Sequence, residues 1–108
     1  MRTLFLALGL TFLAGNAHAQ QLDVEFQIIE DRQAAGCAGS YVAGLDPNGD
    51  GFLAVRKGPG TQHAKIDELY NGDMVRTCAQ AGRWIGVYYG EPRRKGWVHS
   101  NWLIDGAG

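Results

Sequence analysis

The sequence is short of most features that mark a small enzyme or metalloprotein. Its 108 residues hold two cysteines and three histidines, with no C-x-x-C and no H-x-x-x-H spacing. Cys37, Cys78, His63 and His99 therefore make a poor zinc set, and no metal is expected. "GPGTQH" lacks the lysine and spacing of a phosphate-cradling loop, and no serine elbow is present, so neither a cofactor nor a nucleophile is indicated. A glycosidase needs two facing carboxylates at a fixed separation. Adjacent Asp67 and Glu68 would project to opposite faces of a strand. No catalytic residue is assigned, and the chain reads as a non-enzyme.

An excess of charge is also missing. Ten basic residues meet eleven acidic ones, a net charge of −1. Nothing there favours nucleic acid or an anionic membrane as partner. The one basic run, Arg93-Arg94-Lys95, reads as a solvated hairpin tip. Long apolar stretches are absent too: the run from Leu4 to Leu13 is too short for a membrane span. With Arg2 before it and Ala17 and Ala19 after it, "MRTLFLALGLTFLAGNAHA" reads as a secretory leader cut between Ala19 and Gln20. Asn16 stands where a lipoprotein would need cysteine. A periplasmic or secreted monomer without membrane insertion is expected. Removing 19 of 108 residues leaves 89, enough for one small domain. In such a compartment Cys37 and Cys78 are expected to pair. A loop of about 40 residues closed that way contributes about 4 kcal/mol on a chain-entropy basis.

One stretch imitates a cation site. "DPNGDG" places Asp46, Asn48, Asp50 and Gly51 as an EF-hand would. Its twelfth position is Lys57 and its flanks are β-favouring, so it reads as a turn with Asp46 and Asp50 capping amides.

What is present is β pattern. "QLDVEFQI" alternates, with Leu22, Val24, Phe26 and Ile28 on one face, and predicts a strand. "EDRQAAG" after it fits a helical turn or a loop equally well. From Gly39 the runs "SYVAGL", "FLAVR", "AKIDELY", "MVRTCAQ", "RWIGVYY" and "GWVHSNWLI" are cut by turn residues about every 8 to 12 positions. Such spacing predicts an all-β sandwich or small barrel. In "RWIGVYY", Ile85, Val87 and Tyr89 should face the core and Trp84, Gly86 and Tyr88 the outside. Leu53, Val55, Ile66, Leu69, Val75, Val98 and Leu103 are the expected inward partners.

Three blocks resemble the bacterial SH3 (SH3b) family. "DGFLAVRKGPGTQH" is similar to its D-G-x-L-N-V-R-x-G-P-S/G-T block, with Ala54 where asparagine is frequent. "IDELYNGDMVRT" resembles the following block. "GRWIGVYYGEPRRKGWVHSNWL" resembles the closing G-x-W-x-x-V…G-W-V-x-x-x-Y-L block, with Trp102 in place of tyrosine. The likeness spans about 65 of the 89 mature positions. It implies a small SH3-like five-stranded barrel over 39–106, preceded by an N-terminal extension over 20–38. It also implies a non-catalytic module that binds cell-wall peptides or protein partners, a periplasmic enzyme to be regulated among them. Arg56, at the family's arginine position, is expected to pair with a carboxylate such as Asp50.

"GWVHSNWL" is further similar to the G-x-I-P-S-N-Y-V ending of eukaryotic SH3 domains, which lines a peptide groove. By position, Trp84, His99, Asn101 and Trp102 would line the equivalent groove, with Tyr88 on the same outward strand face. His99 replaces the proline, and an imidazole there implies binding that varies with pH. Trp97 is expected to be packing.

Overall fold

The computed structural model describes residues 21–27 and 37–105. The leader, its cut site, and the segment 28–36 with Ile28 and "EDRQAAG" lie outside the described residues. Among those described, seven strands form one sheet: β1 (Ala38–Val42), β2 (Leu53–Arg56), β3 (Lys65–Leu69), β4 (Met74–Ala81), β5 (Trp84–Tyr89), β6 (Arg94–His99) and β7 (Leu103–Asp105). Their order is β3-β2-β6-β5-β4-β1-β7, with every neighbouring pair antiparallel.

The all-β expectation holds, and the six apolar runs give seven strands for a local reason. The last apolar run is split by a 3-10 turn at Ser100–Trp102, whose first amide bonds are managed by His99: its Nδ1 accepts from the Asn101 N–H at 3.1 Å. The chain leaves this turn as β7 and pairs with β1, Tyr41 opposite Ile104.

One core gathers a side chain from each strand. Val42, Leu53, Val55, Leu69, Val75, Val87, Tyr89 and Val98 are buried together, with Ile66, Ile85 and Leu103 packed against them. A single sheet reaches one core from all its strands by curling around it. The most enclosed members are all valine: Val42, Val55, Val75, Val87 and Val98. Small β-branched side chains suit a narrow, pleated interior. Gly96 shows how narrow it is, since a Cβ there would stand 2.3 Å from Val55 Cγ1.

β4 carries a bulge. Thr77 pairs with Val87 and Ala79 with Gly86, so Cys78 is the extra residue. A bulge re-aims its side chain, and here Cys78 meets Cys37 in a disulfide with the Cα atoms 4.4 Å apart. The expected pairing is present.

The strand expected at 22–28 is not present over its described part. Residues 21–27 form no strand; Leu22 and Phe26 are buried while Val24 is 39 % exposed. The reason is Glu25, whose Oε2 accepts from the Leu22 N–H at 3.0 Å and folds the segment into a bend. Such local side-chain bonds compete with a ladder. Burial recurs at a spacing of four instead of two.

"DPNGDG" is a turn, as expected: Asp46 Oδ1 accepts from the Asn48 N–H at 2.8 Å, and the Asp46 carbonyl from the Gly49 N–H at 2.9 Å. Among the described residues no cluster of three or more His, Cys, Asp or Glu could hold a metal.

Candidate binding groove and the covered face

The outer side of β5–β6 divides into two surfaces. At one end, Trp84 pairs across the strands with His99, their rings 5.3 Å apart at 76°. The 3-10 turn then folds Trp102 back over Gly44, leaving it 37 % exposed. Trp84, His99 and Trp102 line one groove of about 360 Å3 with Asp50, Phe52, Ala54, Arg56, Thr61 and Lys65. An adjoining hollow of about 220 Å3 shares Asp50, Phe52 and Trp102 and adds Leu45 and Asp46. Ring faces and edges form the walls, an acid stands at the junction, and two bases line the larger part.

Three of the five groove residues read from sequence are thus brought together. Asn101 is exposed and contributes its backbone N–H to His99 rather than a side chain to the lining. Tyr88 faces another hollow of about 170 Å3, with Met74, Arg76 and Arg93. Strand geometry explains the split: at about 3.3 Å per residue, Tyr88 lies about 13 Å from Trp84 along β5.

Phe52, Arg56 and Lys65 escaped assignment to the groove. Alternation carries the signal: if Leu53 and Val55 point inward, Phe52, Ala54 and Arg56 point outward. Arg56 does not form the ion pair expected with Asp50. Its Nη1 donates to the His63 carbonyl at 3.0 Å, because the turn after β2 brings that carbonyl back over the strand. Lys65 Nζ stands 4.5 Å from the centre of the Phe52 ring and donates to Glu68 Oε2 at 2.6 Å. The hydrogen bond from Lys65, and a second from Tyr70, hold the Glu68 carboxyl below its ordinary range; the same bond to Glu68 raises the Tyr70 phenol. Asp67 turns elsewhere and accepts from Tyr89 Oη at 2.8 Å and Arg94 Nη1 at 2.7 Å. The two adjacent carboxylates serve different partners, as strand alternation requires.

At the other surface the sheet is covered. Leu22, Phe26 and Trp97 form a second buried cluster, with Ala79, Ala81, Trp84 and Tyr88 packed against it. Phe26 meets Tyr88 and Trp97 edge to face, with centroids 5.4 and 5.2 Å away. It lies so close to Gly86 that a Cβ there would sit 2.8 Å from its ring. Trp97 is 3 % exposed, and its Nε1 donates to the Val24 carbonyl at 2.7 Å. It is packing, as expected, but against the extension.

A family profile described as "Bacterial SH3 domain" matches residues 51–104. The chain belongs to the bacterial SH3 domain family. Domains of this kind are binding modules, which agrees with a surface of rings and paired charges. No curated protein and no solved structure matches the chain. The SH3 match begins at Gly51, so β1 and the segment that covers Trp97 lie before it. Among the described residues no helix is long and apolar enough to cross a membrane.

Proposed function

We propose that this protein is an exported, non-catalytic SH3 module whose groove recognises an extended peptide, with cell-wall peptide as its first candidate and a periplasmic protein as the other. The observation that carries the reading is the convergence of Trp84, His99 and Trp102 on one open groove. Rings give contact area at low entropic cost, and a few polar groups then fix direction. With His99 Nδ1 occupied by the Asn101 N–H, Nε2 is the nitrogen available to a ligand in the neutral ring. Asp50 at the junction and Arg56 and Lys65 in the larger part suit a ligand with both an amine and a carboxylate, which wall peptides and protein segments both offer. Asn101 belongs to the rim, and Tyr88 stands outside the site. The leader-like first 19 residues and the Cys37–Cys78 disulfide support an oxidising compartment.

The test is retention on purified peptidoglycan and on immobilised periplasmic extract, with the oxidised wild type beside Trp102→Ala, a ring that lines the groove and does not touch the covered face. Wild-type retention on one matrix, reduced tenfold or more by the substitution, is expected. Retention on peptidoglycan identifies the wall, and retention on extract alone identifies a protein partner. Equal retention of both forms would remove the groove from the reading.

A further inference from the structure

The covered face of β5–β6 has the anatomy of a peptide site that is already filled. Residues 21–27 make no strand with the sheet. They lie on it by two apolar anchors, Leu22 and Phe26, and by polar contacts at regular intervals between them. The Asp23 and Val24 N–H groups both donate to the Lys57 carbonyl, at 2.8 and 3.2 Å. Asp23 Oδ2 is 3.0 Å from His63 Nδ1. The Val24 carbonyl takes the Trp97 indole N–H, and Lys95 Nζ donates to Glu25 Oε1 at 2.6 Å and to the Phe26 carbonyl at 3.3 Å. The sheet and the turn after β2 thus supply an ammonium, an imidazole, an indole donor and a backbone acceptor, set to read a short acidic segment. Its depth for the second anchor is made by Gly86, where any side chain would collide with the Phe26 ring.

We propose that this face is a second peptide-binding site, distinct from the groove, held in cis by residues 21–27 and able to take instead an acidic segment of a partner protein with two apolar anchors four positions apart. Three observations favour a displaceable plug over a fixed part of the barrel. The plug shares no strand ladder with the sheet. Its ion pairs are exposed on the acid side, Asp23 at 48 % and Glu25 at 44 %. It lies before the stretch that matches the SH3 family, whose strands β2 to β7 carry most of the inner core without it. A second copy of this chain is the less suitable occupant: exchange would recreate the same contacts that the resident segment already makes within one chain, with no new ones to favour it. Trp84 borders both surfaces, packing against the plug cluster and lining the groove.

The probe is a fluorescein-labelled peptide of sequence QLDVEFQ, titrated into the full chain with its disulfide formed. Phe26→Ala weakens the plug and leaves the face intact, so this variant is expected to bind the probe at least tenfold more tightly than the wild type. Adding Lys95→Ala should reduce that binding several-fold, and a probe with its Phe changed to Ala should not bind. Equal affinity of variant and wild type, or equal binding of both probes, would overturn the proposal. If Phe26→Ala does not fold, the wild type decides the matter. With unlabelled peptide at millimolar concentration, the amide signals of its own residues 22–26 should move to free-chain positions while Trp97 stays bonded. No movement would overturn the proposal, and so would dimers that form through the segment without any peptide. None of these readings involves the groove, so its failure and the failure of this site are told apart.

Discussion

Among the described residues two buried apolar clusters lie one on each side of the same sheet, and they are built differently. The inner one is dominated by valine and fed by all seven strands. The outer one consists of Leu22, Phe26 and Trp97, resting on Tyr88, Trp84 and small residues, and two of its three buried members come from a segment outside the sheet. The inner cluster is a property of the barrel. The outer one depends on residues 21–27, which lie before the stretch that matches the family. Burial alone does not tell the two apart; connectivity does.

The largest expected effect is that of the disulfide, which staples the residue before β1 to the bulge of the neighbouring β4, with Cys78 also packed against the outer cluster. Changing Cys37 and Cys78 together to Ala is expected to cost about 4 kcal/mol in denaturant unfolding, from the freedom regained by a loop of about 40 residues. A loss below about 1 kcal/mol would mean that the barrel holds its ends without it.

Next comes Val87→Ala, in the inner cluster. Two lost methyls and a cavity with little room to relax should cost about 2–3 kcal/mol of global stability. Phe26→Ala sharpens the contrast, since it removes a larger side chain yet should lower the global unfolding midpoint less than Val87→Ala. A segment that opens locally contributes little to the stability of what remains folded. Its effect should instead appear as a red shift of Trp97 fluorescence. A Phe26→Ala loss larger than that of Val87→Ala would make the two clusters one unit.

The smallest effect concerns pH. The hydrogen bond from Lys95, and after it the Leu22 N–H, hold the Glu25 carboxyl below its ordinary value of 4.5. A lowered folded value means that the contribution is present above 4.5 and is lost as pH falls through the lowered value. Hydrogen exchange of the Trp97 indole should therefore be level in this respect from pH 5 to 8 at matched intrinsic rates, and quicken below pH 4. Glu25→Gln should abolish that acid step.

The inner cluster was legible in the sequence because strand alternation and barrel burial have the same period. Ile85, Val87 and Tyr89 inward against Trp84, Gly86 and Tyr88 outward is what the sheet displays, with Val87 fully enclosed and Ile85 at the margin. The same rule misled over 22–26, where a perfect alternation belongs to a bend made by Glu25. Alternation reports which residues are apolar, and a carboxylate that reaches back to its own backbone changes the geometry without touching that pattern. In the groove, Trp84, His99 and Trp102 were legible by position. Tyr88 was grouped with them because it shares a strand face, and a face about 13 Å long holds two separate surfaces. Phe52 stands just before β2 and Lys65 opens β3, and nothing local in "DGFL" or "AKID" says that these strands fold against the end of β6.

The three indole N–H groups offer the most direct measurement, since they sit on the two surfaces being compared. Their hydrogen exchange, followed together in the oxidised chain at neutral pH, should rank Trp97 slowest by a wide margin, because its Nε1 is bonded to the Val24 carbonyl beneath the extension. Trp84 and Trp102, facing an open groove, should exchange faster. Rapid exchange at Trp97 together with protection at Trp84 and Trp102 would contradict the division into a covered face and an open site.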